Sequence, residues 1–359
     1  MESRSTAPAA WLIRISEVFS EFTDQVIAGL GAKAAKKLGS EYFLIQTGDP
    51  RAIRESDAAK FIRWNLPIQH SWPCNPEQME GFVEKAAQAI YRKFGNLHFQ
   101  AIFIGQLDPG GSRYYKALAS NLRGRTLQLF PAEVANFKEV EAQNSDVPTL
   151  FCLVGKEGLF CGVQSPKASN GLYPGGTKYI SQSAPDTISR AGAKIAEALH
   201  YLLMHRTVPA QGRHWLELGA SPGGMTSELL GREYKVTAID RAPLDKRLDH
   251  HRQLSFFLSD VATFEPGVGA IFEAILSDMN GEAQDAMRQV IRLSKYLTKG
   301  GLVIFTLKTS GVASFAEMNE SYVAVVESAT AAGLRLFART HLTYNRLEFT
   351  LFFEKAGLV

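Results

Sequence analysis

The nonapeptide Leu216-Glu-Leu-Gly-Ala-Ser-Pro-Gly-Gly224 constrains this chain more than any other stretch. The apolar run that enters it, His214, Trp215, Leu216 and Leu218, reads as a strand, and Met225 to Leu230 reads as a helix. Strand, tight turn and helix form the first unit of an open α/β sheet, in which ligands sit beyond the carboxyl ends of the strands. Gly219, Gly223 and Gly224 have no side chains, so backbone can approach a ligand closely there. A second strand, Tyr234 to Asp240, ends in an acid placed to hydrogen-bond a ribose.

Three readings compete for the turn. Gly219-Ala-Ser221-Pro-Gly223 matches the G-x-S-x-G elbow of a hydrolase, but that site needs a backbone N–H on the residue after the serine. Pro222 has none. A dinucleotide site needs G-x-G-x-x-G, and the glycines here are wrongly spaced for it. The remaining reading is an S-adenosylmethionine (SAM) site built from Glu217, Gly219, Ala220, Ser221, Pro222, Gly223, Gly224 and Met225, with Asp240 on the ribose. Asp260, after a strand at 254–258, serves either the adenine amino group or as a helix N-cap.

A length of 359 residues predicts two or three domains. The 45% hydrophobic and 21% charged content is that of an ordinary globular chain. Cys74, Cys152 and Cys161 lie far apart, which argues against a disulfide framework or a zinc site and for a reducing compartment. No apolar run reaches the roughly 20 residues of a membrane span, and no signal-peptide pattern opens the chain. The expected location is the cytoplasm, with no metal and no membrane partner; oligomeric state stays open. Net charge is only +3, so any anion-binding surface must be local. Within 109–132, Arg113, Lys116, Arg123 and Arg125 occur without an acid, a stripe that can follow a phosphate backbone. A solvated helix face fits the same stripe.

Order along the chain divides it further. Strand Trp11–Ser16, helix Val18–Leu30 and strand Tyr42–Thr47 form a first module over 1–72. A second, over 73–165, opens with a helix capped by Asn75 with Pro76 at its first position. Strands are expected there at His98–Ile104, Thr126–Phe130, Thr149–Gly155 and Leu159–Val163. A proline- and glycine-bearing linker follows over 166–185. Over 186–359 the pattern alternates: helix 187–204, strand 213–218, helix 223–231, strands 234–240, 254–258 and 270–277, helix 283–298, strand 301–307, helix 314–332, and strands 334–341 and 346–354. This predicts an α/β fold with a mostly parallel seven-stranded sheet. The short turn at Thr343 to Asn345 requires the last two strands to pair antiparallel.

In such a sheet Asp278 and Lys308, at strand ends, emerge beside the glycine turn. An antiparallel last strand brings Glu348 to the same edge, and the helix before the first strand carries Ser189, Arg190 and Lys194; Ser189 and Asp278 join the residues expected to hold the cofactor. Taken singly, Lys194 and Glu348 read as solvated side chains. Jointly, two lysines and two carboxylates converge where a SAM methyl group would point.

These residues resemble the Lys-Asp-Lys-Glu tetrad of the FtsJ-type ribose 2′-O-methyltransferases. Within that group the whole chain is similar to the RlmM-type enzymes, most strongly from about residue 184 onward. The resemblance implies a Rossmann-like SAM methyltransferase domain over 186–359, preceded by a ferredoxin-like domain over 1–72 and a THUMP-like RNA-binding domain over 73–165. It implies methylation of a ribose 2′-hydroxyl at a cytidine of 23S ribosomal RNA or a large-subunit precursor. Lys167, Lys178 and Arg190 join the stripe above as candidate RNA contacts.

A ribose hydroxyl must lose its proton as it attacks, so a base is needed within hydrogen-bond reach. Lys308 is the candidate, oriented by Asp278 and Lys194, with Glu348 holding the network. Burial and Lys194 depress the Lys308 pKa, whereas Asp278 and Glu348 raise it. Sequence does not decide between a base and an orienting group. An [Asp/Asn]-Pro-Pro-aromatic loop for amino-nitrogen methylation is missing after Asp278. No cysteine for attack on a cytosine ring occurs in 184–359. Transfer RNA or small-molecule methylation, or a non-catalytic RNA-binding role, remain the alternatives.

Overall fold

Two four-stranded sheets carry the first of two units, which meet at Thr177/Lys178 in this computed structural model. The structure describes residues 10–108, 113–180, 187–309, 311–312 and 314–357. The head of the basic stripe at 109–112 and the linker over 181–185 therefore lie outside the described residues.

The first sheet joins β1 (Ala10–Ile15), β2 (Ala32–Leu38), β3 (Tyr42–Thr47) and β4 (Ile62–Ile68), all antiparallel, in the order β2-β3-β1-β4. Helices α1 (Thr23–Gly29) and α2 (Ala52–Glu55) connect them. Strand β2 was not expected. Its sequence, AKAAKKL, favours helix, yet pairing with β3 fixes it as an edge strand, and its exposed lysines suit an unpaired edge.

The second sheet runs β5-β8-β7-β6, from β5 (His70–Trp72), β6 (Ile102–Gln106), β7 (Thr149–Gly155) and β8 (Gly158–Gln164). Helices α3 (Met79–Phe94) and α4 (Arg113–Leu127) cover it, with Phe82, Ile90, Leu118 and Leu122 packed on Leu150, Cys152 and Cys161. Short helices α5 (Ala132–Ala135) and α6 (Pro166–Ser169) complete the unit.

Four expectations need correction. The strand expected at Thr126–Phe130 is the end of α4 and a turn, because Leu118, Ala119, Leu122 and Thr126 are buried at helical spacing. Helix α3 starts at Met79 rather than after Asn75. The Asn75 side chain is engaged by Tyr115 and Glu77 instead of capping, and Tyr114 donates to the Pro76 carbonyl. The boundary at 72/73 does not separate two cores: β5 pairs with β8, and Leu12, Trp64 and Leu66 share a cluster with Phe103, Phe151 and Phe160. Finally, residues 166–177 are not a free linker. Arg14 donates to the Gly175 carbonyl at 2.8 Å, Arg63 to that of Gly176 at 2.6 Å, and Asn65 to that of Ala168 at 3.0 Å.

The second unit alternates as expected: α7 (Ala191–Leu202), β9 (His214–Leu218), α8 (Gly224–Gly231), β10 (Lys235–Asp240), β11 (Leu254–Leu258), β12 (Phe272–Ser277), α9 (Ala283–Leu293), β13 (Leu297–Lys308), α10 (Phe315–Ala331), β14 (Leu334–Thr340) and β15 (Glu348–Lys355). The sheet order is β11-β10-β9-β12-β13-β15-β14. Every neighbouring pair is parallel except those made by β15, which lies antiparallel between β13 and β14. Order reverses between β9 and β12, the crevice where such folds hold ligands.

Candidate active site

At the carboxyl end of β9 the chain turns at Gly219, whose φ is +81°. A side chain there would strain the turn and bring a Cβ to 3.0 Å from the Met279 Cα. The turn instead opens on a cavity of about 320 Å³ lined by Gly219, Ser221, Asp240, Asp260, Asp278 and Lys308 among others. Asp240 accepts hydrogen bonds from the Ser221 N–H at 2.9 Å and the Ala242 N–H at 2.8 Å, so its carboxylate is fixed at the rim. Asp260 caps a 3-10 turn through the Ala262 N–H, the second role expected of it, and also lines the cavity. That backbone bond, helped by the Arg241 guanidinium at 2.6 Å, holds its pKa below the ordinary carboxylate value.

Glu217 does not reach this cavity. Its carboxyl is 2% exposed and accepts the Thr226 hydroxyl at 2.8 Å. Burial pushes its pKa up to about 8, because an ionised carboxylate is costly away from water. Ala220 and Met225 are likewise buried, and Pro222, Gly223 and Gly224 are off the lining. These six residues, expected around the cofactor, are not among those that line this cavity. At Gly224 a Cβ would fall 2.0 Å from the Ser189 hydroxyl, so glycine is what lets α8 sit against the segment leading into α7. Ser189 itself lines a second cavity rather than the first.

That second cavity, of about 730 Å³, is walled by Ser189, Arg190, Lys194, the Thr343–Leu347 loop and Glu348. Asn280 and Lys308 line both spaces. Between them the four expected side chains meet. Lys194 Nζ lies 2.5 Å from Glu348 Oε1 and 3.3 Å from Asp278 Oδ1; Lys308 Nζ lies 2.7 Å from Asp278 Oδ1 and 3.0 Å from Glu348 Oε2. Local pairing explains the convergence. Lys308 and Glu348 are direct partners across β13 and β15, while Asp278 follows β12, parallel to β13.

Two cations and two anions, alternating and largely buried, neutralise one another. Burial opposes the Lys308 charge, but the Asp278 and Glu348 carboxylates outweigh it, and its pKa is raised above the ordinary lysine value. Burial also works against the Glu348 charge, and Lys194 with Lys308 overcomes it, leaving its pKa lowered. Lys308 in this state is therefore an ammonium that donates hydrogen bonds.

The candidate RNA contacts divide. Arg113 and Lys116 are exposed on α4. Arg123 is not available: its guanidinium donates to the Ile102 carbonyl at 3.0 Å and the Phe137 carbonyl at 3.3 Å, and lies over the Phe103 ring. Arg125 is held by Glu84 at 2.6 Å and by Gln128. The acid-free stripe in sequence is thus answered by a glutamate from α3 and by backbone carbonyls. Lys167 is exposed and 3.4 Å from Asp146, and Lys178 lies 3.4 Å from the His200 ring. Arg190 stands exposed at the foot of α7. Asn280 and the Thr343–Arg346 loop were not anticipated as lining residues. Their position just beyond strand ends was the available signal.

No protein-family model matches the chain. It is similar to curated proteins named Ribosomal RNA large subunit methyltransferase M. The relative from Serratia proteamaculans is 27% identical over 154 residues, 42% of this chain and 41% of that protein. That from Shewanella halifaxensis is 27% identical over 217 residues, 59% and 55%. That from Cellvibrio japonicus is 36% identical over 124 residues, 33% of each. The chain thus spans about half the length of these relatives, or less. Among solved structures, TrmN from Thermus thermophilus aligns with 96% of this chain and 99% of its own at 14% identity and a TM-score of 0.37. Aeropyrum pernix fibrillarin with bound S-adenosyl-L-methionine aligns with 60% and 85% at 16% identity and a TM-score of 0.37.

Proposed function

We propose that this chain transfers a methyl group from SAM to a ribose 2′-hydroxyl of RNA, in large-subunit ribosomal RNA as its relatives' name indicates. The finer target, a cytidine of 23S RNA, follows the RlmM-type resemblance. One observation carries the reading: the tetrad of Lys194, Asp278, Lys308 and Glu348 stands in the wall shared by two cavities. The smaller fits SAM in its chemistry, with a glycine floor at Gly219, Asp240 for ribose hydroxyls and Asp260 for an amino group. When bound, SAM supplies a methyl carbon activated by a sulfonium charge.

The chain's own residues supply position and proton control. An acceptor in the larger cavity presents its hydroxyl to Lys308, which orients it and, when neutral, takes its proton as oxygen bonds to carbon and the carbon–sulfur bond breaks. A cation in the smaller cavity opposes the two carboxylates and brings Lys308 toward that neutral form. Asp278 and Glu348 fix both lysines in place. RNA is gripped in part by the first unit, through the exposed Arg113 and Lys116.

The test is incubation of the protein with methyl-labelled SAM and unmodified 23S transcript, followed by mass spectrometry of the nucleosides. A 2′-O-methylcytidine is expected. Label on a base, or on nothing while SAM still binds, would reject the reading, as would label on transfer RNA alone when both RNAs are supplied together.

A further inference from the structure

The larger cavity carries a charge excess that the tetrad does not use. Lys194 and Lys308 are matched by Asp278 and Glu348. Arg190 and Arg346 also line the space, both exposed, and among the described residues neither forms an ion pair. The cavity therefore offers two uncompensated guanidiniums. One comes from the foot of α7 and the other from the loop between β14 and β15.

That loop is braced from several sides. The Glu197 carboxylate, 1% exposed on α7, accepts both the Thr343 N–H and the Thr343 hydroxyl at 2.8 Å. Tyr344 donates its hydroxyl to the Ile180 carbonyl at 2.8 Å, and the Asn345 amide donates to Thr350 at 3.0 Å. The His341 ring sits 3.0 Å from the Arg346 carbonyl. Backbone on both sides of Arg346 is fixed while its side chain reaches into solvent. Glu197 lies about one helical turn beyond Lys194 on α7, so a single helix sets both the reacting centre and the loop.

We propose that this loop is a clamp for the acceptor strand. Arg346 and Arg190 engage the phosphates on either side of the reacting nucleotide, and Glu197 is the positioning residue that holds the loop for them. This rests on the ribose-methylation reading above and assigns the groups that hold the two phosphodiesters flanking the acceptor nucleotide. A guanidinium fork suits phosphate oxygens, and holding it in place beforehand lowers the ordering cost of binding. A free nucleoside would leave both arginines unanswered.

The test uses the full chain and a fluorescently labelled 23S transcript. Binding is read as a function of salt, alongside SAM affinity and methyl-transfer kinetics. Replacing Arg346→Ala or Arg190→Ala should weaken RNA binding roughly ten- to a hundredfold and lower the salt slope by about 0.7 each. The kinetic loss should fall chiefly on KM, with SAM affinity retained and Arg346→Lys recovering part of it. Glu197→Gln should produce a similar KM defect that nearly vanishes in the Arg346→Ala background, which a general loss of stability would not do. A doubly substituted protein with unchanged RNA affinity and salt slope overturns the clamp, and so does Glu197→Gln acting additively with Arg346→Ala. Because binding is read without turnover, these results are separate from failure of the wild-type protein to methylate RNA, which overturns the underlying reading.

Discussion

Replacing Glu348 by Gln removes one of the two negative charges that hold Lys308 protonated, while keeping the side chain's size. The carboxylate lies 3.0 Å from Lys308 Nζ, and at an effective dielectric of about 20 a unit charge at that separation is worth roughly 5–6 kcal/mol. At about 1.4 kcal/mol per pKa unit this bounds the effect near 4 units. The remaining amide dipole and water entering the site work against it, and neighbouring-charge effects of roughly 1–3 units are the norm. Lys308 should therefore titrate 1–3 units lower in the variant. If it is the base, the alkaline rise of kcat moves toward neutral pH by that amount, while the plateau falls because a weaker base accepts the proton. The assay is initial methyl transfer at saturating SAM and RNA from pH 6 to pH 10, with SAM affinity followed by calorimetry. A profile that stays in place, or moves to higher pH, refutes the account of how the tetrad sets Lys308.

Lys308→Arg keeps a cation but offers no proton acceptor in the accessible range, so methyl transfer should drop by at least about 100-fold with SAM binding near normal; retained turnover would make Lys308 an orienting group only. Glu217, with a folded pKa of about 8 against an ordinary value of 4.5, holds a proton that the unfolded chain has lost. Its contribution is fully present below pH 4.5 and is lost as pH rises through 8, at about 1.4 kcal/mol per unit. Glu217→Gln should flatten that slope in urea titrations between pH 5 and pH 8, and an unchanged slope would show the carboxyl to be ionised. Arg123→Ala removes two hydrogen bonds and a ring contact inside the first unit, so it should cost about 1–3 kcal/mol of stability, read by thermal unfolding. Lys116→Ala should leave stability unchanged and weaken RNA binding instead.

The second unit was legible because its signals are local and repeated. Alternating apolar runs and helices fix a parallel sheet, and the brief turn at Thr343 to Asn345 forces the last strand to run backward. Those two facts are enough to carry Lys308, Asp278 and Glu348 to one edge. What sequence missed depends on partners far along the chain. Nothing near Arg123 or Arg125 announces that Phe137 and Glu84 will engage them. Strand β2 exists through pairing with β3 against its own helix-forming composition. Glu217 stands two residues before Gly219 at the cavity, yet its carboxyl is taken up by Thr226, nine residues further on in α8.

Strand β15 is the last element of the sheet in sequence but an inner one in space, inserted between β13 and β14. Without it, Lys194 and Lys308 would share Asp278 alone, and β13 and β14 would each lose a pairing partner. A product truncated ahead of residue 348 is left with unbalanced charge at its centre and two bare strand edges, ready for chaperones or proteases.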